Sequence, residues 1–371
     1  MKPRAPAPLK LLDRTVGVPL VWAAGAARRL RRRRHLPTTL RRVGVLKTNA
    51  IGDTILVGGA LQDLRQGLPD AKLVLFTGHQ NAEIGRLLDG PDEVVELRLT
   101  RVHEAVAALR AQRLDVLLDL GTWPRINGLL TACSGARYAL GFRTPGQHRH
   151  GAYDRWLLHD DAAHEIDNYR RLLDVLTVPT GAWPRIALPA GVEAPGLAGP
   201  YAVCHGWASG SGKEQKQWPA ERWVPVAAGL RERGLEVAFT GGPADRDDTA
   251  RVVRDCRDRG LDGVHALAGT LSLAETAALL GGASLAVSVN TGIMHLAAAM
   301  GAPLVTLNGP VPVVRWGALS KQLTALSPPI EGCGYINLGM EYPADPPPCM
   351  ESITVDAVLT ACAQRLDDAP A

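Results

Sequence analysis

Six cysteines, Cys133, Cys204, Cys256, Cys333, Cys349 and Cys362, are scattered through 371 residues without one CxxC pair. Zinc ribbons and disulfide-dense secreted folds need closely spaced cysteines, so neither is indicated, and reduced thiols in the cytoplasm are the expectation. Cys333 and Cys349 could pair or share a metal, but the expectation for them too is free thiols. A membrane span is also missing: the uncharged stretch Thr15–Ala27 has 13 residues, and crossing a bilayer takes about 20. No GxGxxG follows the first strand, which argues against a nicotinamide-dependent oxidoreductase. No cluster of ligand residues has metal-site spacing, so neither metal nor cofactor is expected.

What is present is enough apolar material for two cores, at 46% hydrophobic residues. The net charge of +4 is unevenly spread, because residues 1–42 hold twelve Lys/Arg and one Asp and carry +11, leaving −7 for the rest. An acidic body argues against nucleic acid as a partner. The basic cluster, six Arg among residues 28–34, follows the apolar stretch instead of preceding it, unlike a signal peptide. We read residues 9–34 as an interfacial segment on the membrane surface, with Leu11, Leu12, Val16, Leu20, Val21 and Trp22 in the headgroup region and arginines on anionic lipid. The alternative is a solvated arm or a helix packed on the body.

From Arg42 short apolar strands alternate with helices: 43–48, 72–78, 94–99, 115–121 and 137–142, then after a break 201–207, 236–242, 264–269, 285–290 and 303–309. Continuously apolar strands alternating with helices predict parallel sheets covered on both faces. Residues 143–163 read as loop, and 181–200, rich in Pro and Gly, read as a linker. The expected organisation is α/β, with an amphipathic arm (1–42), a Rossmann-like domain (43–180), the linker, and a second Rossmann-like domain (201–371). Ligands of such sheets bind beyond the carboxyl ends of strands, so two domains facing across a cleft are expected.

Several strand-end loops carry candidate chemistry. In KTNAIGDT (47–54), Gly52 makes room for a tight turn and Asp53 is either a helix cap or a carboxylate that accepts a proton. In HGWASGSGKEQKQWPAERW (205–223), Lys213 and Lys216 beside small residues suit a diphosphate, or are a surface lysine pair; Pro219 lies at a helix start. TGGPADRDD (240–248) brings Gly241, Gly242 and Asp245 to a strand end, placed to meet a ribose or base. After the strand 285–290, Asn290-Thr291-Gly292 opens a helix whose free N–H groups suit phosphate: Thr291 supplies a capping hydroxyl, Gly292 permits close approach, and His295 lies one turn in.

Together, VLKTNAIGDTILVGGALQDLRQGLPDAKL, KQWPAERW, FTGGPADR, NTGIMHLAAAMGAPLVTLNGP and CMESITVDAV resemble the family 9 glycosyltransferases, the bacterial heptosyltransferases of lipopolysaccharide core assembly. The resemblance spans roughly residues 43–362. It implies a GT-B architecture, an inverting mechanism, an acceptor bound by the first domain and a nucleotide diphosphate sugar, typically ADP-heptose, bound by the second. It implies Asp53 as catalytic base, Lys216 on phosphate, and Thr291, Gly292, His295 and Leu296 as the diphosphate-binding TGxxHL. Two departures stand out: Asn290 replaces the family's usual Asp, and Gly309-Pro310-Val311-Pro312 replaces a GPT followed by an acidic residue.

The expected function is therefore transfer of a heptose, or a related sugar, from ADP-heptose to a lipopolysaccharide-core or other glycan or lipid-linked acceptor, at the inner face of the cytoplasmic membrane. Asn49, Arg125, Arg143 and His148 are candidates for holding anionic acceptor groups. The alternatives are a non-catalytic nucleotide-sugar-binding protein, or a transferase of the same family with a different donor sugar.

Overall fold

Val43 to Leu46, Leu73 to Phe76 and Val116 to Leu118 are buried without a break, as strands covered on both faces must be. The structure, a computed structural model, describes residues 13–31, 35–210, 212–337 and 342–368. These divide after Arg185 into two units.

The first unit is a parallel sheet of β1 (Arg42–Leu46), β2 (Lys72–Thr77), β3 (Glu93–Glu96), β4 (Val116–Asp119), β5 (Tyr138–Arg143) and β6 (Arg155–Leu158), in the order β3-β2-β1-β4-β5-β6. The second holds β7 (Tyr201–His205), β8 (Glu236–Phe239), β9 (Val264–Ala266), β10 (Leu285–Val289), β11 (Leu304–Leu307) and β12 (Leu323–Leu326), ordered β12-β11-β10-β7-β8-β9. Both sheets are doubly wound in the same sequence of strands. Chain direction across the sheet reverses between β1 and β4, and again between β7 and β10, so the loops leaving those strand ends bound the natural ligand positions.

Two edge strands, β6 and β12, were not expected. Arg155, Trp156 and Leu158 are exposed, so β6 carries no continuous apolar signal, and the stretch 143–163 is not wholly loop. The start of the expected linker is also anchored: Gly181 and Ala182 donate their N–H groups to Asp63 Oδ1 at 2.8 and 2.7 Å.

The arm corrects the headgroup assignment of Val21 and Arg28. Its helix, Val18–Arg31, packs on the first unit, with Val21 buried among Ala132, Ala152 and Tyr153. A Cβ at Gly25 would lie 1.9 Å from Gly151 O, so glycine is what allows this approach. Arg28 is buried, with Nη2 2.6 Å from Asp154 Oδ2 and 2.9 Å from Ala136 O. Leu11, Leu12 and Arg32 to Arg34 lie outside the described residues.

Cys333 and Cys349 form a disulfide with a Cα separation of 5.8 Å, which corrects the expectation of free thiols at these positions. The bridged segment packs within the second unit: Ile336 N–H donates to Pro310 O at 2.9 Å, and Tyr335 Oη to Gln215 Oε1 at 3.1 Å.

Candidate active site

In the first unit, β1 is followed by Lys47 and the chain turns through Ala50, whose φ of 66° is left-handed. The turn is made there and not at Gly52, which sits inside the first turn of the Ile51–Gly67 helix. A non-glycine residue in this region stores strain of order 1 kcal/mol, of the kind that gathers at functional loops. Asp53 follows at the third helical position, in the first turn. Its Oδ2 instead accepts from Lys47 Nζ at 2.8 Å, with the lysine side chain 2% and the aspartate side chain 24% exposed. Lys47 Nζ also lies 5.8 Å from the Tyr169 ring centre. The carboxylate thus keeps solvent access while its counter-ion is sealed behind it.

The neighbouring loop after β4 is fixed by a buried network that sequence reasoning missed. Asp119 accepts from Arg149 Nη2 and, at 2.7 Å, from Tyr153 Oη, while Asn127 accepts at Oδ1 from Thr48 Oγ1 at 2.8 Å. Burial pushes the Tyr153 phenol well above its ordinary range, so it stays a neutral donor. Burial alone would weaken the Arg149 cation, but Asp119 and Tyr153 outweigh it and raise its pKa. Asn49 sits half-buried in the β1 loop. Arg125 opens the helix after β4 but turns to the 146–147 loop, donating to Gln147 O at 2.9 Å and Gly146 O at 3.2 Å. Arg143, at the end of β5, lies over the Trp156 ring at 5.2 Å, and His148 is exposed.

In the second unit, Asn290 follows β10 and the Gly292–Ala299 helix begins with Thr291 as its N-terminal cap residue. Its hydroxyl does not do the capping expected of it: no side-chain cap bond forms, and Thr291 Oγ1 is buried without a hydrogen-bond partner among the described residues. A buried hydroxyl beside free helix N–H groups is chemically matched to an anionic ligand. His295 is buried one turn further on.

Asn290 is held by its amide. Nδ2 donates to Asn308 Oδ1 at 2.9 Å and to Trp316 O at 3.2 Å. Asn308 is itself oriented by donating to Thr306 Oγ1 at 2.8 Å. Two acceptors therefore face position 290, which a carboxylate could not satisfy. Val311 is buried with Ile336 and Tyr342 of the disulfide-closed segment, a packing that explains an apolar residue there.

Beyond β7, Gly212 (φ 67°) leads into the short helix Lys213–Lys216. Lys213 is exposed, and half-buried Lys216 reaches Ser209 O at 3.4 Å. Pro219 caps a short helical turn, Ala220–Arg222, that runs into the helix Trp223–Glu232. After β8, Asp245 accepts from Gly242 N–H at 2.8 Å, so it braces the loop. A Cβ at Gly241 would come within 2.9 Å of Trp207 Cδ1. Trp207 and His205 were missed as site neighbours. The register pairs His205 with Ser288, and burial lowers the His205 pKa to about 4, leaving it neutral. Trp207 is buried with Nε1 unpartnered among the described residues.

Two doubly wound parallel sheets, each with a furnished strand-end loop at its reversal point, define a two-domain α/β enzyme of the nucleotide-binding kind. Residues 102–335 match the sequence model of glycosyltransferase family 9 (heptosyltransferase), and the chain belongs to that family. It is thus a glycosyltransferase of GT-B architecture. It is 24% identical over 315 residues to lipopolysaccharide heptosyltransferase 1 of Escherichia coli K12, covering 80% of this chain and 96% of that protein. Lipopolysaccharide heptosyltransferase 3 of the same strain is 26% identical, over 71% of this chain and 81% of its own. Among solved structures, the E. coli ADP-heptose lipopolysaccharide heptosyltransferase II superposes with a TM-score of 0.75 at 19% identity, covering 88% of this chain and 98% of that one. An E. coli heptosyltransferase solved with ADP gives 0.69 at 22% identity, covering 87% and 99%.

Proposed function

We propose that this enzyme transfers a heptose, with inversion, from ADP-heptose to a lipopolysaccharide-core acceptor at the cytoplasmic face of the membrane, to which it attaches peripherally. The observation that carries the proposal is the Asp53 carboxylate, partly exposed and held by buried Lys47 just beyond β1. In the reaction, the acceptor oxygen attacks the sugar carbon as Asp53 takes its proton. The bond from that carbon to the diphosphate breaks, and the electron pair leaves with ADP. Thr291, the N–H groups opening the Gly292–Ala299 helix, His295, Lys216 and Lys213 receive the growing negative charge. Gly241 and Gly242 are assigned to the loop that meets the nucleoside, with Gly241 letting Trp207 pack beneath it, and Asn49, Arg125 and Arg143 are assigned to the acceptor. Similarity to proteins named lipopolysaccharide heptosyltransferases, and to one solved with ADP, supports this choice of substrates.

The test is ADP release from ADP-heptose in the presence of a heptose-deficient core acceptor. Asp53→Asn should lose roughly 10²- to 10⁴-fold in kcat while still binding ADP; full turnover in that variant would remove Asp53 from its role. The amide-locked Asn290 favours a second reading, a different donor sugar on the same nucleotide. Thermal stabilisation across a panel of nucleotide sugars distinguishes the two. Binding without any turnover would make the chain a non-catalytic nucleotide-sugar-binding protein.

A further inference from the structure

The arm helix has two faces, and the first unit covers one of them through Val21, Gly25 and Arg28. On the other, every exposed residue from Val16 to Ala27 is uncharged. A surface helix in water ordinarily places its charges on that side. Here Val16, Leu20 and Leu30 are 44%, 49% and 88% exposed. Trp22, on the flank, extends the patch: its ring meets His150 edge-on at 5.2 Å, and His150 meets Trp156 of β6 at 5.6 Å. Trp22 and Trp156 are each 40% exposed, and Leu158, two residues along the same side of the strand, is 54% exposed.

The exposed charge on the arm helix is of one sign, although Asp160 and Asp161 are exposed just beyond Leu158. Arg29 is exposed on the arm helix and Arg143 lies over the Trp156 ring, and the sequence continues with Arg31 to Arg34. No carboxylate occurs among residues 15–30. A second copy of the chain would set arginine-bearing arm helices against each other with no carboxylate on either helix face to neutralise them. An anionic bilayer supplies both an apolar layer and the counter-charge.

We infer that this face docks on an anionic lipid surface, with Leu20, Trp22, Leu30 and Trp156 entering the headgroup region and Arg29 meeting lipid phosphate. The inference rests on the peripheral attachment proposed above and names the surface that makes it. The membrane-facing set is therefore not the one the apolar stretch suggested by itself, because Val21 and Arg28 are committed to the protein interior.

The full chain should co-sediment with phosphatidylcholine vesicles containing phosphatidylglycerol, and be released by high salt or by omission of the anionic lipid. Leu20→Glu/Leu30→Glu changes two exposed residues, so its Tm should match wild type, while its vesicle affinity falls by roughly a hundredfold. If wild type binds and the double variant binds equally, this surface is wrong and peripheral attachment survives. If wild type binds neither vesicle, both ideas fall. Binding indifferent to phosphatidylglycerol and salt overturns the anionic assignment, and a dimer dissolved by the double variant reassigns the face to a second copy.

Discussion

Lys47 and Asp53, six residues apart, form an ion pair of 2.8 Å in which the cation is buried and the anion faces solvent. The two ends are energetically unequal. Removing the carboxylate strands an ammonium in the interior, whereas removing the ammonium leaves a carboxylate that water can reach. Asp53→Ala should destabilise the protein by about 3 kcal/mol, and adding Lys47→Met should restore part of that loss. Urea denaturation of the two single variants and the double variant checks this; additive losses would show that the pair is energetically uncoupled.

Thr291 offers a separation of stability from binding. A capping threonine replaced by alanine costs about 1 kcal/mol, but this hydroxyl makes no cap bond. Thr291→Ala should leave the Tm nearly unchanged and weaken ADP binding by roughly tenfold, as measured by calorimetry. A marked fall in Tm with unaltered affinity would return the residue to a capping role.

Asn290→Asp should lower stability. The carboxylate would face Trp316 O and Asn308 Oδ1, both acceptors, with no hydrogen to give. The expected cost is about 1–3 kcal/mol, visible as a lower denaturation midpoint at neutral pH.

His205 should make the fold acid-sensitive. Burial holds its pKa near 4 in the folded protein against 6.5 for the free side chain, so protonation favours the unfolded chain. Its contribution is fully present above pH 6.5 and is lost as the pH falls toward 4. That loss approaches roughly 3 kcal/mol across the window. Comparing wild type with His205→Asn at pH 7 and near pH 4.5 isolates it, because the variant should lack this component of the acid sensitivity.

Cys333 and Cys349, 16 residues apart, close a loop over the segment that buries Val311. Cys333→Ala should cost about 3 kcal/mol by the loop-entropy model. Chemical denaturation under non-reducing conditions measures the loss.

Much of the fold was legible because most strands are buried on both faces and therefore unbroken in their apolar character; β10, with all five residues buried, is the clearest. The edge strands were not, since β6 exposes three of its four residues and has no such run. Asp53, Thr291 and Asn290 were findable because strand ends and helix starts are marked in sequence. Their partners were not. Lys47 follows an apolar strand, and nothing local in the sequence marks a lysine there as enclosed, although the fold buries it. The acceptors facing Asn290 come from β11 and the Val313–Trp316 helix, and Asp154, which neutralises Arg28, is 126 residues away. Contacts of that kind belong to the tertiary structure and leave no local periodicity.

The close approach of Gly25 to Gly151 makes the arm a structural member of the first unit. Cutting the chain before residue 40 would uncover Tyr153 and Ala152 and leave the Asp154 carboxylate without its guanidinium. A shortened protein would then be prone to aggregate for reasons unconnected with lipid. Surface substitutions on an intact chain are consequently the sound way to dissect what the arm does.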